Sequence, residues 1–386
     1  MKRTCKNVDI SDRKLIEKAV WDCLNGKMSR KDTIGLLSEY SGLSKKLIAG
    51  LSKELGYHAY DGIVNAVIDG IREEILSKKY IVKKIKYKKK KDNSSGKIRN
   101  IGIQDIKQQI YDYIAVYGLR ELFEKKIGYY QCGAVKGKGN DFGASAIYEW
   151  LKDRRNRWAW QADIKHYYES VDKNILKRML IRDVKNQSLL ELVFFLIGTF
   201  ESGLSIGSYL SQFLANYYLS KAYVFASQLT KTRNKKNEDK CEIRLVSHVL
   251  FQMDDILFVG HDKRNLKIAA KKFEKYIEDE LHLHLKEEPK IIDLRSDYID
   301  ILGRRISRKS LTIRSSTFLR TRRVFKKAYK CYAKTEKIPF DTAKSCVSRY
   351  GVVKHTNSRK FERKYHVKEL QNASRGIVGF CSRNGR

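Results

Sequence analysis

Proline is almost absent from this chain of 386 residues, which has Pro289 and Pro339 and no others. No Pro-rich linker therefore marks a place to cut it into independent domains, and its lobes are expected to pack as one body. Cysteine is sparse and unpatterned: residues 5, 23, 132, 241, 331, 346 and 381 are odd in number and form no C-x-x-C pair. That excludes a disulfide framework and a zinc knuckle, leaving reduced thiols mostly in the core. The eight histidines make no ligand cluster either; His282 and His284, two apart in LHLHL, read as a strand face, so any metal must be held by oxygen. No apolar run approaches the roughly 18 residues of a membrane span, and MKRTCKNVDI carries no apolar signal core. A soluble, cytoplasmic protein without a membrane partner is expected. Acid is also in short supply, with 44 Asp plus Glu against 80 Lys plus Arg, a formal charge of +36. Such a surface repels itself unless a polyanion lies against it, and nucleic acid is the natural one.

What is present is enough for a large core, since 42% of residues are hydrophobic. Ile63, Val67, Ile71 and Ile75 recur every four positions, and SGLSKKLIAGLSKEL repeats the pattern behind a serine cap, so residues 1–80 read as a helical lobe. KKIKYKKKKDNSSGKIRNIGI places nine basic residues around an Asn-Ser-Ser-Gly turn signal, giving either a basic hairpin or a solvated charge run. Residues 104–126 and 142–153 look helical, separated by CGAVKGKGN, whose glycines are too loosely spaced for a P-loop. From 158 to 306 strand-like and helical stretches alternate: WAWQADIKHYY, LSQFLANYYLSKAYVFA, LVSHVLFQMDDILFVG, LKIAAKKFEKYIEDEL. That order predicts an α+β layer with helices behind an antiparallel sheet. Beyond Phe318 the chain is helical and basic, with Phe325, Ala328, Tyr329 and Tyr332 as an apolar stripe among Arg320, Arg322, Arg323, Lys326, Lys327 and Lys330.

FQMDDILFVG carries the most chemistry. Two adjacent carboxylates, Asp254 and Asp255, flanked by apolar strand residues, lose solvation unless a cation meets them. Mg²⁺ is the ordinary oxygen-bound ion for such a turn, although D-D turns are common on surfaces without one. In QADIKHYYESVD, Asp163 ends a second strand-like run. A strand-end carboxylate opposite a D-D hairpin supplies three acidic groups, enough for two metals about 3.5–4 Å apart, as polymerases use.

In order along residues 95–306, SGKIRNIGI, QADIKHYYESVD, GLSIGSYLSQFLANYYL, QMDD and YIDILGRRI resemble the successive motifs of reverse transcriptases of the bacterial retroelement branch, and SRYGVVKHTNSRKF resembles a thumb of some bacterial members. The resemblance implies a right-hand α+β polymerase: a helical lobe at 1–80, fingers at 81–157, a palm of antiparallel sheet backed by helices at 158–306 and a helical basic thumb at 307–386. It implies metal binding by Asp163, Asp254 and Asp255, with the main chain of Ile164 on the second metal or the phosphates, and two Mg²⁺ ions for which Mn²⁺ can substitute. It assigns Lys97 and Arg99 to the β- and γ-phosphates, with a plain surface pair as the alternative. Tyr168 falls under the deoxyribose or in the core. Ile206 and Gln212 fall beside the nascent pair, and Lys286 or Lys290 is the lysine that would protonate pyrophosphate. Lys88, Lys89, Lys90, Arg320, Arg322 and Arg323 are the expected grips on nucleic acid.

Two departures stand out from that pattern. Gln252 takes a position where most relatives have Tyr or Phe, and I-G-x-x-x-S-Q replaces Q-G-x-x-x-S-P, so that Ile206 stands for the glutamine and Gln212 for the proline. The latter form resembles reverse transcriptases of diversity-generating retroelements and of antiphage systems, which implies reduced fidelity or restricted nucleotide choice. The expected activity is RNA-directed DNA synthesis in phage defence with a cognate non-coding RNA. A mutagenic enzyme of a diversity-generating element is the first alternative, followed by intron and retron enzymes and by a non-catalytic RNA-binding protein of the same fold. The expected partners are a structured RNA template, the DNA product and dNTPs, with room for a second copy or a second protein subunit.

Overall fold

The computed structural model describes residues 3–54, 60–91, 96, 98–234, 240–286 and 289–383. It is a mixed α+β structure with antiparallel sheets, and its chain groups into two compact units, each drawn from three stretches of sequence. Among the described residues no helix is long and apolar enough to cross a membrane.

The first unit comprises Met1–Val135, Ile164–Phe225 and Lys272–Lys286. Its N-terminal part is helical, as the spacing predicts: helix Asp61–Ser77 buries Ile63, Val67, Ile71 and Ile75. Helix Lys45–Glu54 follows Ser44, whose hydroxyl accepts from the Leu47 amide. The basic segment forms a hairpin, β1 (Lys86–Lys91) against β2 (Ile98–Ile103), with Lys90 opposite Arg99; its turn, 92–95, lies outside the described residues. Helix Ile106–Gly118, capped by Asp105, is buried on nearly every side and forms the interior of the unit, even though it carries Gln108 and Asp112. A short strand β3 (Gln131–Cys132) and helices Lys173–Asp183, Gln187–Gly198 and Tyr209–Tyr218 follow, capped in turn by Asp172, Asn186 and Ser208.

One sequence expectation fails in this unit. LHLHL is not a strand: helix Lys263–Leu281 ends there, His282 turns left-handed with φ +52, and the amides of His282 and Leu283 bond back to the carbonyls of Glu278 and Ile277. Leu281 and Leu283 are buried by this helix ending, which produces an alternation identical to that of a strand face. The strand in WAWQADIKHYY ends at Asp163, as expected, and His166 turns left-handed (φ +47) to start the helical turn Tyr167–Ser170.

The second unit comprises Lys136–Asp163, Ala226–Lys271 and Glu287–Arg386. Its main sheet contains β4 (Trp158–Asp163), and the chain then adds an antiparallel pair, β5 (Thr230–Asn234) with β6 (Lys240–Arg244). β7 (His248–Gln252), β8 (Asp255–Gly260) and β9 (Lys290–Asp293) complete the main sheet in the order β7-β8-β4-β9, all antiparallel. β8 is buried from Ile256 to Gly260, the signature of an interior strand. β10 (Ile299–Ile301), β11 (Arg304–Ile306) and β12 (Leu311–Ile313) make a second small sheet. Helices Ser315–Thr335, Phe340–Val353, Arg359–Lys364 and Val367–Arg383 close around Phe325, Ala328, Cys346, Val353 and Leu370. The predicted stripe is therefore buried only at Phe325 and Ala328. Tyr329 and Tyr332 remain 37% and 43% exposed, since the neighbouring helices cover the face below them.

The Arg308 guanidinium fastens this unit by donating to the carbonyls of Leu151, Asp153, Arg154, Asn156 and Leu294 at 2.5–3.4 Å. It caps helix Asn140–Lys152 and shapes the turn that launches β4 toward Asp163. Arg308→Met should lower unfolding free energy by about 2–4 kcal/mol, because several buried carbonyls lose a charged donor together. Arg308→Lys should recover only part, lacking the planar fork. Urea denaturation followed by tryptophan fluorescence measures both.

Candidate active site

The acidic motif sits on a hairpin of the second unit. β7 and β8 are joined by a two-residue turn, Met253 and Asp254, and Met253 has φ +54, a conformation that costs a non-glycine residue about 1 kcal/mol. In the antiparallel register Gln252 faces Asp255 and Asp255 faces Asp163, so the three share one row on one face of the sheet. Asp254 precedes that row in the turn. All three aspartates are half-buried, above buried Phe251, Ile256 and Leu257. Like charges directly opposite across strands destabilise a sheet unless neighbouring groups offset them, and a cation is one group that could. The donors are hard oxygens, which suit Mg²⁺. Among the described residues no three His, Cys, Asp or Glu side chains converge into a ready-made cage. An ion here would thus complete its shell with water or phosphate oxygens, the habit of Mg²⁺.

Gln252 ends β7 beside this turn. Its amide donates to Asn140 Oδ1 at 3.4 Å, and its own carbonyl oxygen is buried without a partner. Asn140 opens the helix whose next residue, Asp141, pairs with Arg304 of β11, a guanidinium only 3% exposed. Asn140, Asp141 and Arg304, with Gly137, Gly139, Leu302, Gly303, Thr317 and Gly351, border a hollow of about 590 Å³. Asn140, Asp141 and Arg304 escaped the sequence reading because their partners lie far away in the chain. The glycines of CGAVKGKGN were the only local signal.

A separate cluster forms in the first unit around the segment 203–208. The Leu204 amide donates to the Tyr168 carbonyl at 2.7 Å, and the Gly102 amide of β2 donates to the Ile206 carbonyl at 2.8 Å. Two glycines make this stitching possible. A Cβ on Gly203 (φ +41) would stand 2.3 Å from the Tyr168 carbonyl oxygen, and one on Gly207 (φ +115) 2.6 Å from that of Gly102. Tyr168 and Ile206 are thereby tied to the strand that carries Arg99, and Gln212 lies on the helix that follows. Tyr168 is half-buried with its ring against Tyr167, whose hydroxyl bonds the Ala215 carbonyl.

Ile164 is fully buried and bridges Leu285, next to Lys286, whereas Lys290 is exposed in β9 opposite Gln161. Lys97 lies outside the described residues. Lys88, Lys89 and Lys90 are exposed on β1. Arg320 donates to the Ser316 carbonyl, and Arg323 is exposed. Arg322 lies beside Tyr365 and holds its phenol below the usual range. No protein-family model and no curated protein matches the chain, so the chemistry must be argued from these groups.

Beneath the 203–208 segment lies Asp112, which burial pushes up to about 6 against the opposing pull of the Ser208 hydroxyl and the Leu210 amide. A carboxyl that binds its proton more tightly folded than unfolded makes stability fall as pH rises from about 4 to about 6. Asp112→Asn should remove that portion of the slope in denaturation curves taken across this range. Gly203→Ala and Gly207→Ala should each cost about 2 kcal/mol or more, since a methyl would meet backbone. Gly139→Ala, with open space around it and no left-handed φ, should be nearly neutral by thermal melting.

Proposed function

We propose that this chain is an RNA-directed DNA polymerase, and the observation that carries the reading is the direct opposition of Asp163 and Asp255 across β4 and β8, with Asp254 at the adjoining turn. Two carboxylates held in register beside a third at the turn are an arrangement that divalent cations would stabilise, which supports this reading. Asp163, Asp254, Asp255 and the Ile164 carbonyl are the groups that would hold two Mg²⁺ ions. When bound, such ions lower the pKa of a primer 3′-hydroxyl and neutralise the charge that develops on the leaving pyrophosphate.

The chain's own residues then have positioning work. Arg99, with Lys97, would bind the triphosphate as a cationic pair. Tyr168 would lie against the sugar and disfavour a 2′-hydroxyl. Lys286, placed beside the Ile164–Leu285 bridge, is the better-supported of the two lysines for protonating the leaving group. On this reading, fingers, palm and thumb correspond to 81–157, 158–306 and 307–386. Exposed Lys88, Lys89 and Lys90, with Arg322 and Arg323, would grip phosphates of a structured RNA. The I-G-x-x-x-S-Q segment supports a setting in phage defence with a cognate RNA, more than general replication.

Asp254→Asn and Asp163→Asn should each lower dNTP incorporation on an RNA template by several orders of magnitude while leaving melting temperature and RNA binding in place. The double variant should be little worse, since a broken two-metal unit is not additive. Incorporation by Asp254→Asn at the wild-type rate, or none by the wild type with Mg²⁺ or Mn²⁺, would leave an RNA-binding protein in place of the enzyme. For the dedicated template, one short RNA species should dominate what survives a high-salt wash, because shape and 2′-hydroxyl contacts outlast counterion-dependent ones. A heterogeneous mixture would remove the cognate RNA and keep the polymerase.

A further inference from the structure

Asp112 is fully buried in the middle of the interior helix Ile106–Gly118. A carboxylate in such a place is costly unless both oxygens are bonded, and only one is. Oδ2 accepts from the Ser208 hydroxyl at 2.7 Å and from the Leu210 amide at 3.4 Å. Oδ1 is buried with no partner, and the Gln104 side chain beside it makes no bond of ordinary geometry. The Ser205 hydroxyl, on the segment that Asp112 holds, is likewise buried and unbonded.

Both bonds made by Asp112 go to one short stretch. Ser208 is the N-cap of helix Tyr209–Tyr218, and its Oγ also accepts from the Ser211 amide while Leu210 lies in the first turn. Two residues before the cap, Ile206 gives its carbonyl to the Gly102 amide of β2. On the other flank, Leu204 is bonded to Tyr168. The turn therefore has three anchors: Tyr168, the strand of Arg99, and Asp112 underneath. The first two are backbone contacts, which any sequence with the two glycines could make. Asp112 is the one anchor made by an ionisable side chain.

We infer, resting on the polymerase reading above, that Asp112 is a positioning residue for nucleotide selection, fixing the 205–210 turn from beneath and with it the placement of Ile206 against the incoming deoxynucleoside triphosphate. It touches no substrate. Its role is to hold a helix start, and an under-bonded buried carboxylate is suited to that because its net stabilisation comes almost wholly from the two bonds it makes to the turn.

The test compares Asp112→Ala, Asp112→Asn and Ser208→Ala by steady-state dNTP incorporation and by hydrogen exchange of the 205–211 amides. Asp112→Ala should raise KM for dNTP roughly tenfold or more while kcat changes by less than about threefold, because two bonds to a charged acceptor are lost away from the reacting atoms. Exchange should rise in 205–211 and remain unchanged in the β7–β8 hairpin. Asparagine keeps an acceptor oxygen, so Asp112→Asn should bring KM back to within about threefold of wild type, and Ser208→Ala should fall between the two. If Asp112→Ala leaves exchange in 205–211 unchanged, or if kcat and KM worsen together in both Asp112 variants, Asp112 is only a core group and the inference fails. Should Asp112→Ala not fold, Asp112→Asn and Ser208→Ala decide by the same criteria. A wild type that incorporates no nucleotide would remove the polymerase reading; the exchange data would then still decide whether Asp112 holds the turn.

Discussion

Asp163 and Asp255 stand directly opposite one another in adjacent antiparallel strands, and the rest of the second unit is arranged so that they remain there. A one-residue slip of β4 against β8 would relieve the repulsion by turning one carboxylate to the other face, and it would also turn buried side chains such as Trp160 and Phe258 outward. Burial of β8 on both faces makes that slip prohibitive. Arg308 fixes the start of β4 by binding carbonyls around residues 151–156, and the left-handed Met253 keeps the β7–β8 turn at two residues. The apolar sheet thus fixes two carboxylates in register on one face.

The first unit shows two buried aspartates with opposite fates. Asp183 is 3% exposed, and burial alone would push its carboxyl up; Arg182 binds it in a fork, Tyr217 donates at 2.9 Å and Lys126 lies at 3.3 Å, which together hold it at about 2. Asp112, with a neutral hydroxyl and an amide as its bonded donors, rises to about 6. The difference is the presence of cations, which decides whether a buried carboxylate is an inert structural node or a group of adjustable charge. Glu74 is a further bonded node of this unit, accepting from Tyr40, Tyr111 and Lys107.

Periodicity was reliable where one rule operated alone. Ile63, Val67, Ile71 and Ile75 bury one helical face because nothing competes with the 3.6-residue repeat, and the apolar residues around Asp254 and Asp255 form two strands because a tight turn joins them. The same reasoning failed where two structures yield one pattern. LHLHL alternates because a helix ending buries every second residue, and Tyr329 and Tyr332 continue a stripe whose covering helices cover only its Phe325 and Ala328 side. Local spacing shows which residues could share a face, but the extent of the partner surface is set elsewhere in the chain.

Residue types and short spacings were enough to determine the paired carboxylates with a third at a strand end and the excess charge of +36, and to offer a basic hairpin at 83–103 beside a solvated charge run, between which the β1–β2 pairing decides. Tertiary structure alone decided which of these groups meet. The Asp163–Asp255 register, the Ser208–Asp112 bond across 96 residues and the Arg304–Asp141 pair across 163 residues leave no trace in any local window. The physical reason is that side-chain chemistry is carried by each residue, whereas a buried polar contact exists only once packing has excluded water from both partners, and that depends on the whole chain.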